Sequence, residues 1–134
     1  MSDANDLYVA FIDASAMVAL ADRGDATHRA AVSAYEELKA AGYRLFTTSY
    51  AIAEAFELIA IGLGHAAARH WLQALRIDIY HLDPDDISRA RTRLVTDERL
   101  ASRTLTDALN ITAMERLGVR DAFAVDPDFV VEFD

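Results

Sequence analysis

Six consecutive apolar residues, Leu7 to Ile12, stop abruptly at Asp13. A short apolar run without alternation reads as a strand buried on both faces, the kind found inside parallel sheets covered by helices. The rest of the chain must then supply those helices, and its patterning does so. Ser15 to Ala21 reads as a helix, and Asp25 is placed to cap a second over Ala26 to Ala41, with Ala30, Ala31, Ala34, Tyr35 and Leu38 on its apolar side. Tyr43 to Thr47 reads as a strand, and Thr48 or Ser49 opens a very apolar helix to about Leu63. A helix over His65 to Leu75, a strand over Ile77 to Leu82 and a helix from Asp85 to about Val95 follow. Thr104 with Asp107 has the capping-box form, and the helix it opens should end at Gly118. Ala122 to Val125 and Phe129 to Phe133 read as closing strands, the last at an edge. The alternation predicts an α/β fold with a mainly parallel sheet.

The 134 residues fit one domain, 1–134, and 53% apolar content with 5 Gly and 2 Pro excludes a disordered or collagen-like chain. Cysteine is absent, which removes disulfides, thiolate metal sites and cysteine nucleophiles together. No stretch is apolar for long enough to span a bilayer, and the acidic start, Met-Ser-Asp-Ala-Asn-Asp, does not read as a signal peptide. A cytoplasmic protein without a membrane partner is the expectation. The net charge of −9 argues against a general nucleic-acid coating protein, since phosphate binding is driven by positive charge. It leaves open an enzyme that meets phosphates through metal ions.

Four acids stand where the fold would gather them. In open α/β sheets reactive groups sit at the carboxyl ends of strands, and Asp13 and Asp126 each follow a strand. Asp107 lies in the first turn of a helix. Glu54 and Glu57 are the only breaks in the apolar stretch from Tyr50 to Leu63, and a helix of that type should be largely buried, so one of them should line an internal cleft. Each acid also has a plainer reading. Asp13 can cap a helix, Asp107 can serve only its capping box, Asp126 before Pro127 can be a turn residue, and Glu54 can reach solvent. Together, carboxylates in one cleft repel, at about 3 kcal/mol for a pair ~5 Å apart with an effective dielectric of 20. A divalent cation offsets that repulsion, and an all-oxygen donor set favours Mg2+ or Mn2+. The matching chemistry is metal-assisted phosphodiester hydrolysis.

Four motifs in order resemble the PIN domain: Phe11-Ile12-Asp13-Ala14-Ser15, Glu54 within Thr48 to Phe56, Leu105-Thr106-Asp107-Ala108, and Asp126-Pro127-Asp128-Phe129. They are most similar to the small VapC-type toxins of toxin–antitoxin pairs, over essentially the whole chain. The resemblance implies a three-layer α/β/α sandwich with four to five strands and a Mg2+- or Mn2+-dependent endoribonuclease. It puts the catalytic, metal-holding acids at Asp13, Glu54, Asp107 and Asp126. The family often has Thr two residues before the last Asp, where this chain has Ala124, so Asp128 is a candidate to share the role of Asp126. Ser15 and Thr106 are candidates to support the ligands. An RNA substrate, a cognate antitoxin with a basic tail and a homodimer complete what the resemblance implies. The apolar residues Phe56, Ile59 and Leu63 offer surface for the dimer.

Twelve of the 13 basic residues are Arg. Arg89, Arg91, Arg93, Arg99 and Arg103 form their one concentration, either a solvated face paired with nearby acids or a rim guiding RNA phosphates. Arg89, Arg93, Arg99 and Arg103 are the RNA-binding candidates. His28, His65, His70 and His81 are scattered, and the five-residue step from His65 to His70 misses a helical metal-pair spacing. Two rival functions remain. An aspartyl phosphotransfer domain would use Asp13 as nucleophile, but position 15 is Ser and the single lysine, Lys39, is poorly placed for it. A non-catalytic PIN-like scaffold for RNA or protein partners would show a broken quartet, and this one is intact.

Overall fold

A computed structural model describes residues 8–125. Strand β1 (Val9–Ile12) lies inside a four-stranded parallel sheet of order β3-β2-β1-β4, formed with β2 (Arg44–Thr47), β3 (Asp78–Ile79) and β4 (Asp121–Phe123). Helices α1 (Ala14–Ala21), α2 (His28–Ala40), α3 (Ser49–Leu63), α4 (His65–Ala74), α5 (Pro84–Thr96) and α6 (Leu105–Leu117) complete the α/β architecture. Because β1 has neighbours on both sides, Ala10, Phe11 and Ile12 are buried, and Phe11 meets Phe46 edge to face.

Local chemistry sets most boundaries. Thr48 caps α3 by accepting from Ala51 N, and Thr104 and Asp107 form a reciprocal capping box at α6. Gly118 closes α6 at φ 68°, a left-handed conformation that only glycine adopts without strain. Asp83 and Asp86 make a second reciprocal box at α5, with Pro84 in its first turn.

Several expectations are corrected. Helix α2 begins at His28 instead of Ala26, because the Asp25 carboxylate accepts from Thr27 N at 2.7 Å and from Thr27 Oγ1, holding 25–27 as a turn. Ala30 and Tyr35, expected on its apolar side, are exposed; Ala31 alone is fully buried. The strand expected over Ile77 to Leu82 forms only at Asp78–Ile79, where β2 offers partners. A 3-10 turn, Glu98–Leu100, carries no sequence signal as clear as the flanking helices. Helix α3 is not largely buried: Ala51, Ala55 and Ile59, spaced four apart, make a narrow stripe, while Leu58, Ile61 and Leu63 are exposed. Ile59, expected to offer surface, belongs to that buried stripe. The edge strand expected at Phe129 to Phe133 lies outside the described residues.

Candidate active site

The sheet delivers Asp13 to the end of β1. Its N–H donates to Phe123 O at 3.0 Å, fixing the chain where β1 and β4 finish together. Asp13 occupies the residue before α1 in extended conformation, yet its side chain makes no capping hydrogen bond. The carboxylate is therefore left for other partners. Ser15 Oγ donates to Oδ2 at 3.0 Å, whereas Oδ1 is buried without a hydrogen-bond partner. Only 5% of Asp13 is exposed. Burial pushes its pKa above the ordinary carboxylate value; the amides of Ala14 and Ser15 and the Ser15 hydroxyl oppose the shift, and the charge of Asp107 adds to it.

Asp13, Ser15, Glu54, Leu58, Arg103, Thr104 and Asp107 line one cavity of about 200 Å3. Glu54 comes from the middle of α3, half-buried, while Glu57 is exposed. Asp107 serves two ends at once: Oδ2 accepts from Thr104 N at 3.3 Å in the capping box, and the side chain also lines the cavity. Its two sequence readings are thus compatible. A larger groove of about 680 Å3 lies between α1, α2, β2 and α4, and among the described residues in its lining Asp78 is the only acid.

The structure brings together Asp13, Glu54, Asp107, Ser15 and Arg103. Thr106 is half-buried in α6 and does not line the cavity. Asp126 and Asp128 lie outside the described residues. Ser15 Oγ nevertheless accepts from Val125 N at 3.1 Å, tying Asp13 to the residue that precedes Asp126. Among the described residues, no group of three or more acidic or histidine side chains is placed to hold a metal ion.

The basic candidates divide. Arg89 pairs with Asp85 at 3.5 Å, Arg99 with Asp97 at 3.0 Å, and Arg93 with both Asp97 and Glu115. Arg103 alone of the four lines the acidic cavity. Lys39 stands 5.9 Å over the Tyr35 ring and borders the larger groove, away from Asp13. His28 Nδ1 is 2.7 Å from Ala19 O, a structural tie between α1 and α2.

Sequence reading passed over Asn110. It is 0% exposed in α6, and its Oδ1 accepts from Thr48 Oγ1, a residue 62 positions away. A lone amide within the apolar stretch Ala108 to Ala113 was the available signal.

The parallel sheet and its flanking helices form a PIN-like fold, with Asp13 at the end of β1. Among the solved structures that match is VapC20 of Mycobacterium tuberculosis, a toxin that cleaves the sarcin–ricin loop. It is 26% identical with a TM-score of 0.74, over 90% of this chain and 92% of its own. The fold is that of a VapC-type PIN domain. No protein-family model matches the chain, and neither does any curated protein sequence.

Proposed function

We propose that this chain is a metal-dependent endoribonuclease, the toxin of a toxin–antitoxin pair. The observation that carries the reading is the buried, unpartnered Oδ1 of Asp13 in a cavity shared with Asp107 and Glu54. A carboxylate oxygen buried without its own donor or cation is costly, even when Ser15 serves the other oxygen, and a second acid beside it adds to the cost. The cost is understandable if a cation is meant to offset it.

The chemistry of the donors suits Mg2+ or Mn2+, with three carboxylates and no thiol or imidazole among the described residues lining the cavity, although these three do not by themselves form a group that could hold an ion. Asp13, Glu54 and Asp107 would hold the ion, joined by Asp126 or Asp128. Bound there, a divalent ion supplies Lewis-acid activation of water and neutralises charge on the phosphate. The chain's own residues prepare the site. Ser15 fixes one oxygen of Asp13 and so orients the other; the capping box fixes the rotamer of Asp107. Arg103 on the cavity wall brings a guanidinium to an RNA phosphate.

VapC20 is a sarcin–ricin loop cleaving toxin, and a structured RNA is the substrate class proposed for this chain. The larger groove, with Leu20, Leu45, Trp71 and Leu75 in its lining, is suited to an antitoxin segment that wraps the toxin. A second copy of the chain would cover the exposed apolar residues of α3. Incubating the purified protein with a structured RNA tests the activity. Cleavage should appear with Mg2+ or Mn2+ and vanish with chelator; RNA left intact under both conditions contradicts the reading.

A further inference from the structure

Three fully buried polar side chains join the elements that carry the cavity's acids. Thr47, the last residue of β2, donates from Oγ1 to Ile12 O at 2.9 Å, one residue before Asp13. Thr48 caps α3, the helix of Glu54, by accepting from Ala51 N at 3.1 Å, and donates to Asn110 Oδ1 on α6. Asn110 follows Asp107 by three residues on that helix. Thr47, Thr48 and Asn110 are all 0% exposed, and Asn110 Nδ2 has no hydrogen-bond partner.

A buried amide with one donor unpaired works against stability. Packing alone would favour an apolar side chain at this position, so the hydrogen bond from Thr48 has to have another use. Helices α3 and α6 are in contact, and side-chain packing by itself tolerates small slides of one helix on another. A directed hydrogen bond from the cap of α3 to the second turn of α6 does not. We infer that the Thr48–Asn110 bond is a positioning device that sets α3 against α6, and so Glu54 against Asp107, while Thr47 holds β2 to the end of β1 beneath Asp13. Neither Thr48 nor Asn110 lines the cavity, so both act through the acids. The inference rests on the nuclease reading, because it takes the spacing of those acids to matter.

The test compares the parent with Asn110→Leu, Thr48→Val and Thr48→Ser. Mn2+ binding is measured by calorimetry, RNA cleavage by kcat and KM, and folding by melting temperature. Asn110→Leu leaves the cap of α3 intact, which separates the tie between helices from the cap. Loss of the tie should weaken Mn2+ affinity and lower kcat by about tenfold or more, with KM for RNA within about twofold. Thr48→Ser, which keeps the hydroxyl, should behave as the parent. Adding Thr48→Val to Asn110→Leu should cost less than the sum of the two. If Asn110→Leu does not fold, the contrast between Thr48→Val and Thr48→Ser decides. Folded variants with lower melting temperatures but parental Mn2+ affinity and kcat overturn the proposal. A parent that binds no Mn2+ and cleaves no RNA removes the nuclease reading, and this proposal with it.

Discussion

The hydroxyl of Ser15 holds Asp13 by one oxygen, donating to Oδ2 at 3.0 Å and leaving Oδ1 buried and unpartnered. The same hydroxyl accepts from Val125 N, so one small side chain ties the start of α1 to the end of β4. Ser15→Ala removes both bonds, a loss of about 1–2 kcal/mol in all. The expected result is a melting temperature lower by roughly 3–6 °C. An unchanged melting curve would mean that these bonds contribute nothing.

The raised pKa of Asp13 makes stability depend on pH in a definite direction. Burial lifts it first, with the charge of Asp107 adding, and the folded form therefore binds this proton more tightly than the unfolded chain. Its contribution to stability is full below the ordinary carboxylate range and is lost as pH rises through the raised value. Asp13→Asn removes the buried charge. Without metal, the variant should melt above the parent at neutral pH, and the gap should close as pH falls to about 4 and below. Parallel melting curves across that range contradict this assignment.

A cation that binds only the folded site stabilises by mass action, by about 2.7 kcal/mol when its concentration is a hundredfold above Kd. Millimolar Mn2+ should therefore raise the parent's melting temperature in thermal scans. Asp13→Ala and Asp107→Ala should shrink or abolish the shift. Equal shifts in parent and variants would put the ion elsewhere.

What the sequence made legible was local. The Thr104–Asp107 box and the stop at Gly118 depend on residues within one helical turn, and both stand as read; of the two starts open for α3, Thr48 or Ser49, the cap is Thr48. The burial of β1 was legible too, because an unbroken apolar run needs cover on both faces. Long-range matters were not. β3 shortened to Asp78–Ile79 because pairing with β2 limits it, and a hydropathy pattern carries no record of its partner. Asn110 escaped notice because its partner, Thr48, sits 62 positions earlier. The exposed side of α3 was misjudged for a related reason: apolarity all round says nothing about whether enough neighbours exist to cover it. The alternation of strands and helices put Asp13 at a strand end, whereas the choice of Glu54 over Glu57 and its grouping with Asp107 came from the family resemblance; Asp126 and Asp128 lie beyond residue 125.

The uncovered side of α3 leads to a prediction about association. Ile61 is 84% exposed, with Leu58 and Leu63 on the same helix and Leu72 on α4 also exposed. Apolar residues grouped in this way favour a partner surface. The protein should be a homodimer by light scattering at micromolar concentration, and Ile61→Glu should shift it to monomer without unfolding it. A monomeric parent contradicts the dimer and leaves the nuclease reading intact.

The most direct test removes the carboxylate at the end of β1. A structured RNA is incubated with Mg2+ or Mn2+ and with parent or Asp13→Ala protein, each checked for folding by circular dichroism. The parent should cleave, and Asp13→Ala should cleave at least ~100-fold more slowly, the scale of losing a positioned electrostatic stabiliser. Folded Asp13→Ala protein that cleaves as fast as the parent would place the activity at another site and contradict the mechanism.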